Sequence, residues 1–326
     1  MDPDISVVVT ANRPRPYLRH ALKSLMGQDL ARAHWETIVV AGFLDAESQS
    51  IVEGHRGRWI TVDETVGGAL ARGIEASSGN VVSFLDDDDA FAPGKLARVW
   101  RAFRNDHSLG YYHNAFDRVD ETGSNLPLQG PRPLHAISIA PGAIRNRYFD
   151  ALRHDGAHNL SSISIRKDVL VGRTGYLREI QGATDRFMFY ASAASGQGFL
   201  IDTSVLTQYR VHLDSAVHSY NDDRSVLNHY SRVFETSQVI STMLRDSPIG
   251  ADFALELALG RVRWAAVDPG FSNGLHAEDL VRCFIFGVGT RDVEAFAWPL
   301  LRLLPRPSRK SVIQVVKQVR RGGRRL

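Results

Sequence analysis

Residues 81–96 read VVSFLDDDDAFAPGKL and combine a strand-like run with four consecutive aspartates. Val81–Leu85 is short, apolar and rich in strand-forming residues, which is typical of a strand buried on both faces. Asp86 to Asp89 follow it at once, and like charges crowded so closely repel one another. A hard divalent cation such as Mg²⁺ or Mn²⁺ prefers carboxylate oxygens and usually shares them with substrate phosphates. The stretch therefore indicates either a cation site at the end of a buried strand or a solvated acidic turn.

Strands and helices alternate on the N-terminal side of the aspartates and continue beyond them. The periodicity predicts strands over 5–10, 37–40, 59–62 and 81–85, and helices over 17–28, 46–54, 67–77 and 93–104. Alternation of this kind predicts an α/β fold with a mostly parallel, doubly wound sheet. Ligands bind outside the carboxyl ends of the strands in such sheets. The aspartates stand at such an end, which favours a functional site.

The pattern is less regular between residues 109 and 220 and becomes helical after that. It predicts strands over 111–114, 161–165, 199–201 and 205–211, a helix over 184–196, and a long loop over 123–147. Helical periodicity follows over 226–245, 250–267, 277–286 and 293–304. We therefore expect a helical C-terminal extension behind the α/β part.

The composition is that of a globular protein in a reducing compartment. The chain has 326 residues, of which 44% are hydrophobic. Its one cysteine, Cys283, excludes an internal disulfide and a thiolate metal cluster. The N-terminus lacks the basic and apolar regions of a secretory signal. No window reaches the roughly 18 apolar residues that span a bilayer. These features predict a cytoplasmic protein.

The C-terminal tail is strongly basic, whereas the rest of the chain is acidic. Residues 302–326 contain nine Lys or Arg and no Asp or Glu. The net charge of the whole chain is +3, so the other residues together carry a net charge of −6. Valines 312, 315, 316 and 319 share one helical face, and a basic amphipathic helix suits an anionic membrane surface. We expect peripheral contact with the inner face of a membrane; a solvated terminus and an oligomer contact stay open. Nucleic acid is not an expected partner because no aromatic residues are interleaved with the charges.

Three stretches together resemble the GT-A-fold glycosyltransferases of family 2. They read ISVVVTANRPRPYLRHALKSLMGQ, ETIVV and VGGALARGIEASSGNVVSFLDDDDAFAPGKL, and they occur in the family's order. The resemblance is dense over residues 5–100 and looser to about 220. It implies a Rossmann-like, mostly parallel sheet flanked by helices. It also implies a metal-dependent, inverting transfer of a sugar from a nucleotide diphosphate to a glycan, polysaccharide or lipid-linked acceptor.

The resemblance assigns residues to the nucleotide-sugar donor. Thr10, Asn12 and Arg13 would line the nucleotide pocket at the end of the first strand, and Arg72 would contact the diphosphate. Family members carry an acidic pair after the second strand that reads the nucleobase. This chain has VVAGFLD there, so Asp45 is the candidate replacement. The identity of the nucleotide stays open.

The resemblance also assigns a metal site for Mg²⁺ or Mn²⁺. Asp86 and Asp88 match the D-x-D motif, with Asp88 as the direct ligand and Asp86 also facing the donor. His212, in the segment QYRVHLDSA, would complete the metal or diphosphate site. Asp89 would support these groups, and Asp87 would face solvent.

An inverting transfer needs a carboxylate that takes the proton of the acceptor hydroxyl. By resemblance this base is Asp185, with Glu179 as the fallback. The alternative for Asp185 is an ordinary acid in the first turn of a helix. His154 and His158 lack the zincin pattern and are expected to line the acceptor side or to be exposed.

These assignments divide the chain into four parts. Residues 1–108 would bind the nucleotide sugar and 109–222 the acceptor, followed by the helical extension over 223–304 and the basic tail over 305–326. A non-catalytic nucleotide- or sugar-binding relative remains an alternative. A DxD phosphate hydrolase is a weaker one, because those enzymes carry the nucleophilic aspartate after the first strand and these aspartates follow the fourth.

Overall fold

The computed structural model describes residues 3–31, 34–127, 134–212, 223–268 and 275–301. Its first part alternates strands and helices, which confirms the predicted α/β class. The elements are β1 (Ile5–Ala11), α1 (Leu18–Met26), β2 (Trp35–Ala41), α2 (Ala46–Glu53), β3 (Gly57–Thr61), α3 (Val66–Ala76) and β4 (Val81–Asp86). The strands lie in the order β3-β2-β1-β4 and are all parallel. Their carboxyl ends therefore meet at one edge, where Thr10 lies opposite Asp86.

The second part extends the same sheet with a mixture of strand directions. It contains β5 (Ala90–Phe91), α4 (Lys95–Asn105), β6 (Leu109–Val119), β7 (Ile137–Ile139), α5 (Ile144–Arg153), β8 (Ile163–Arg166), α6 (Lys167–Leu170), α7 (Thr174–Arg178), α8 (Thr184–Ser195) and β9 (Gly198–Arg210). β8 is antiparallel to both β4 and β6, whereas β6 and β9 are parallel. The sheet is thus parallel in its first half and mixed in its second. The two halves predicted to meet at residue 108 share this one sheet.

Two local predictions in the second part are wrong. The loop expected over 123–147 contains β7 and the first turn of α5. β7 forms because Ile137 and Ile139 bury their side chains while the strand pairs with the edge of β9. The two short strands expected after residue 198 are the single strand β9, which pairs along its length with β6.

Gly67, in the first turn of α3, permits a close contact between helices. A β-carbon there would overlap the carbonyl oxygen of Leu177 at the end of α7 and lie 2.6 Å from that of Ile180. The absence of a side chain therefore lets α7 pack against the start of α3.

The predicted helical extension is confirmed for the described residues. It consists of α9 (Asp223–Met243), α10 (Gly250–Val267), α11 (Ala277–Thr290) and α12 (Val293–Leu301). Buried residues such as Val262, Cys283 and Trp298 form its own apolar core. No helix in the described ranges is long and apolar enough to cross a membrane. The predicted amphipathic helix of the tail lies outside the described residues.

The extension also braces the helix that carries Asp185. Thr236 of α9 donates a hydrogen bond to the carbonyl oxygen of Gly182, two residues before α8 begins, at 2.9 Å. Glu256 of α10 is buried and pairs with Arg186 and with the hydroxyl of Tyr190, both on α8. The first turn of α8 is thus held in place by contacts with α9 and α10.

Candidate active site

The four aspartates form a tight turn at the carboxyl end of β4. The backbone N–H of Asp86 donates to Oγ of Ser161 at 2.9 Å, and the N–H of Asp89 donates to the carbonyl oxygen of Asp86 at 3.2 Å. Arg210, the last residue of β9, fixes the turn from the other side. Its N–H donates to Oδ1 of Asp89 at 2.8 Å and its Nε to the carbonyl oxygen of Asp88 at 2.9 Å. Ser161, just before β8, and Arg210, at the end of β9, therefore hold the acidic turn in place.

Asp88 accepts hydrogen bonds from two basic side chains. Nη1 of Arg15, in the loop after β1, lies 2.9 Å from its Oδ2, and Nε2 of His212 lies 2.9 Å from the same oxygen. His212 is buried beside the ring of Tyr17, with 5.0 Å between the ring centroids. The structure thus brings together two predicted metal ligands and adds Arg15, which the sequence did not indicate.

The expectation that Asp87 faces solvent is wrong. Asp87 is only 7% exposed and pairs with Nη1 of Arg15 at 3.3 Å. A single guanidinium thus bridges two adjacent carboxylates. The sequence carried no signal for this pairing, because Arg15 lies 72 residues before Asp87.

Asp89 is the most deeply buried of the four aspartates. Its Oδ1 accepts from Arg210, whereas its Oδ2 is buried without a hydrogen-bond partner. Below the turn, the fully buried Lys95 donates to Oγ1 of Thr207 at 3.2 Å and also to the carbonyl oxygen of Ser161. Lys95 was not predicted as part of the site; burial lowers the pKa of its amine well below the usual value, and the charge of Asp89 opposes this shift.

The electrostatics of the turn favour binding of a cation. Burial raises the pKa of Asp86 well above its usual value, and the neighbouring carboxylates raise it further. Burial and then Asp88 raise the pKa of Asp87 to about 7 and that of Asp89 to about 8. A carboxyl group whose pKa is raised in this way becomes easier to ionise when a positive charge arrives. Burial and mutual repulsion thus disfavour the ionised form of these three carboxyl groups when no further positive charge is present.

The donor atoms fit an ion that takes part of its coordination shell from a substrate. Asp88 and His212 offer a carboxylate and an imidazole at one point, and Asp89 adds an unpartnered buried oxygen nearby. Within the described ranges, no three His, Cys, Asp or Glu side chains converge as a complete metal site. Asp86, Asp88 and His212 are therefore not a preformed set of three ligands. Mg²⁺ commonly binds through one or two carboxylates together with phosphate oxygens.

The predicted nucleotide pocket lies at the ends of β1 and β2. Thr10 is buried opposite Asp86, whereas Asn12 and Arg13 are exposed in the following loop. Gly42 stands where the family has an acid, and a β-carbon there would lie 2.8 Å from the carbonyl oxygen of Asn12. Close approach of the two loops therefore explains why no side chain is tolerated at this position.

Asp45 and Arg72, two other residues predicted to bind the donor, lie outside the acidic turn. Asp45 precedes the first turn of α2 and accepts a hydrogen bond from Oγ of Ser48 at 2.6 Å, which lowers its pKa. Arg19 is 4.0 Å from the same carboxylate. Arg72 is exposed in the middle of α3, and its side chain forms no ion pair with the four aspartates in the described part of the chain. Both roles stay predictions.

Asp185 lies in the first turn of α8 and faces the acidic turn. Its Oδ2 accepts from the backbone N–H of Asn159 at 3.0 Å, and its Oδ1 from the N–H of Arg186 at 2.9 Å. Its charge contributes to the raised pKa of Asp86. Asn159 and Ala183 adopt positive φ angles of 64° and 53°. Backbone strain of this kind concentrates at functional sites, and here it flanks one carboxylate.

Three rings form a cluster that the sequence did not predict as a unit, and one of them, His158, lies beside Asp185. Phe116 lies 5.6 Å from His158 and 5.7 Å from Tyr209, and His158 and Tyr209 are 6.0 Å apart, between centroids. Nδ1 of His158 is 3.9 Å from Oδ2 of Asp185. Burial and then the nearby aspartates raise the pKa of Tyr209. The Phe116–His158–Tyr209 cluster therefore contacts Asp185 through His158 and lies within the electrostatic influence of the acidic turn through Tyr209.

The other sequence candidates lie elsewhere. His154 ends α5, and its Nδ1 lies 2.9 Å from the carbonyl oxygen of Asp150 in the same helix. Glu179 is exposed at the end of α7, the helix that packs against α3. Neither residue joins the group formed by Asp185 and the three rings.

Comparisons with known proteins give a family match for the first half of the chain. Residues 6–164 match the family described as glycosyl transferase family 2. An uncharacterized glycosyltransferase of Nostoc sp. (strain PCC 7120) is 27% identical over 137 residues, which cover 39% of this chain and 42% of the relative. A second relative is TuaG of Bacillus subtilis (strain 168), whose name describes a putative glycosyltransferase of teichuronic acid biosynthesis. It is 27% identical over 159 residues, which cover 47% of this chain and 58% of TuaG. The match thus spans about half the length of these curated relatives.

Solved structures share the fold over nearly the whole chain. S. aureus TarS 1-349 in complex with UDP-GlcNAc superposes with a TM-score of 0.60 at 17% identity, covering 99% of this chain and 93% of that one. The mannosyltransferase PcManGT of Pyrobaculum calidifontis, in complex with GDP-Man and Mn²⁺, gives 0.56 at 14% identity, covering 93% and 85%. At these identities the likeness concerns the fold. Together with the family match, it places residues 6–164 in glycosyl transferase family 2, within a chain whose fold is like that of GT-A glycosyltransferases.

Proposed function

We propose that this protein is a metal-dependent, inverting glycosyltransferase that moves a sugar from a nucleotide diphosphate to a hydroxyl group. The acceptor would be a glycan, a polysaccharide or a lipid-linked sugar. The observation that carries the proposal is the position of Asp185 opposite the acidic turn, with Asp88 and His212 meeting at 2.9 Å. Neighbours with the same fold are titled as complexes with UDP-GlcNAc and with GDP-Man and Mn²⁺, which supports a nucleotide-sugar donor.

On the donor side, Asp88 and His212 would hold the cation, with Asp86 and Asp89 completing the negative environment. A bound divalent cation supplies charge neutralisation to the departing diphosphate. Arg15 now bridges Asp87 and Asp88. With a cation held at Asp88, Arg15 would be available to donate to the diphosphate oxygens, since Arg matches phosphate geometry.

On the acceptor side, Asp185 would act as the general base. An ionised carboxylate has about four acceptor positions, and two backbone N–H groups use two of them. The remaining positions can accept the proton of the acceptor hydroxyl. The acceptor oxygen then bonds to the anomeric carbon, and the bond from that carbon to the diphosphate breaks with its electron pair on the diphosphate. Attack from the side opposite the leaving group inverts the configuration.

The ring cluster of Phe116, His158 and Tyr209 would form the acceptor wall. Apolar faces of sugar rings pack against aromatic rings, and His158 of this cluster lies 3.9 Å from the proposed base. Orientation of the hydroxyl toward Asp185 would then come from the wall, and such orientation contributes strongly to rate.

The test combines binding with turnover on the full chain. Melting temperature is measured with UDP, GDP, CDP and dTDP, each with and without Mn²⁺, because a ligand of the folded state raises it by mass action. One nucleotide should give a metal-dependent shift, which Asp88→Asn abolishes. Sugar release from the corresponding donor should fall by roughly 10²-fold or more in Asp185→Asn, as expected for loss of a general base, while the shift persists. Loss of the shift together with turnover in Asp185→Asn would contradict the assigned base.

The same assay distinguishes the proposed transferase from the two alternative functions, a non-catalytic binding protein and a phosphate hydrolase. A non-catalytic relative would give the thermal shift with no release of sugar from any donor. A phosphate hydrolase would release inorganic phosphate from simple phosphate esters without dependence on the sugar. The aspartates follow β4 rather than β1, which supports the transferase over the hydrolase.

A further inference from the structure

The outer face of α11 is an exposed apolar surface. Five of its residues are between 36% and 60% exposed: Leu280, Val281, Phe284, Ile285 and Val288. At 100° per residue they fall within a sector of about 140° on one side of the helix. Phe284 contacts Phe296 of α12 with 5.3 Å between the centroids, and Leu300 on α12 is 61% exposed. We call these seven residues the α11–α12 face.

This face is not needed for the core of the helical extension. The opposite side of α11 already buries Cys283, Phe286 and Gly287 against the neighbouring helices. In other described parts of the chain, large exposed apolar residues such as Leu134 and Val171 stand singly. Isolated residues of that kind are normal, whereas a contiguous apolar surface marks an interaction site.

The charge of the sequence that follows α12 indicates the chemistry of the partner. α12 ends at Leu301, and the sequence from 302 to 326 then carries nine Lys or Arg and no Asp or Glu. At the border of the face, Glu278 is neutralised by an ion pair with Arg282. An apolar helix face that is followed in the sequence by a dense group of cations matches a bilayer with anionic headgroups.

We propose that the α11–α12 face docks onto an anionic membrane surface, together with the basic segment 302–326. This goes beyond the transfer reaction and does not depend on it. A second copy of the chain fits less well. Two copies joined through this face would bring two segments of nine cations together, and like charges in proximity oppose association.

The experiment uses the full chain and vesicles of phosphatidylcholine with and without phosphatidylglycerol. Co-sedimentation should require phosphatidylglycerol and weaken with added salt. The variant Phe284→Ser with Val288→Ser should bind at least tenfold more weakly. Leu134→Ser with Val171→Ser, which removes equally exposed apolar residues elsewhere, should bind like the wild type. Circular dichroism melting checks that each variant is folded, and Val281→Ser with Val288→Ser is the second variant of the face.

Three results would overturn the proposal. Unchanged vesicle binding by both variants of the face would exclude the apolar contribution. A wild type that is dimeric by light scattering and monomeric when the face is changed, without any vesicle binding, would identify a second copy as the occupant. Stronger vesicle binding after deletion of residues 305–326 would mean that the tail covers the face instead of acting with it.

Discussion

Oδ2 of Asp88 and Nε2 of His212 lie 2.9 Å apart, although 124 residues separate them in the chain. Asp88 belongs to the turn after β4, and His212 follows β9. Arg210 links the two regions, because its backbone N–H donates to Oδ1 of Asp89 and its Nε donates to the carbonyl oxygen of Asp88. The imidazole therefore reaches the acidic turn because the end of β9 is fixed against it, and several predictions depend on this arrangement.

His212→Ala should weaken Mn²⁺ binding by roughly 10- to 100-fold, in line with the loss of groups that hold or orient a metal. Electron paramagnetic resonance of free Mn²⁺ measures this affinity without any turnover. His154→Gln is the matched control, because His154 bonds within its own helix. Equal Mn²⁺ affinity in the two variants would remove His212 from the metal site.

Arg15→Gln should raise Mn²⁺ affinity in the absence of nucleotide and lower nucleotide affinity in its presence. The guanidinium competes with the cation for Asp88 at 2.9 Å, and we expect roughly a tenfold gain, equal to about 1.4 kcal/mol. Titration calorimetry of each ligand gives both values. Arg147→Gln, which removes an exposed partner of Asp150 on α5, should change neither. A fall in Mn²⁺ affinity without nucleotide would mean that Arg15 supports the metal instead of competing with it.

Gly67→Ala should lower the free energy of unfolding by about 1–3 kcal/mol, since the added methyl overlaps backbone at the end of α7. Gly175→Ala is the control within α7, where a β-carbon meets no atom within 4 Å. It should be neutral or stabilise by up to about 1 kcal/mol, because alanine favours helix. The changes in unfolding free energy of both variants are measured from their denaturant midpoints, provided that the m-values are equal. Similar midpoints for the two variants would contradict the close contact between α3 and α7.

Stability should fall between about pH 6.5 and pH 4 in part because of His113. Burial lowers the pKa of this histidine to about 4, while its ring contacts the carbonyl oxygen of His158 at 2.7 Å. The unfolded chain binds the proton at higher pH than the folded chain does. The stabilisation from a neutral His113 is therefore complete above pH 6.5 and is lost as the pH falls, by up to about 3 kcal/mol.

The variant His113→Gln isolates this contribution. Glutamine can donate to the same carbonyl and does not titrate, so its stability should fall less over this pH window than that of the wild type. Asp87 and Asp89, whose pKa values are raised to about 7 and 8, act in the opposite direction in both proteins. They largely cancel in the difference between the two urea titrations. Parallel pH profiles would contradict a neutral buried His113.

The order of the elements and the position of the acids could be predicted from the sequence. β-branched runs such as Ile5–Thr10 and the helical spacing of apolar residues are local patterns, and burial acts on them residue by residue. The strand before Asp86 was thus recognisable, as was the edge of the sheet where the carboxyl ends of parallel strands meet. The family resemblance added Asp88, Asp185 and His212 as candidates, and the fold brings each of these residues to that edge.

The direction of β8 and the partners of the acids could not be predicted in this way. Nothing near Asp87 in the chain indicates that Arg15 neutralises it, and nothing near Asp185 indicates the N–H of Asn159 or the ring of His158. Nor does the spacing around Phe116 predict its contact with Tyr209. Charge compensation and ring contacts depend on distances between residues far apart in the chain. The sequence by itself determined which strand ends in acids, whereas the tertiary structure decided which charges and rings surround them.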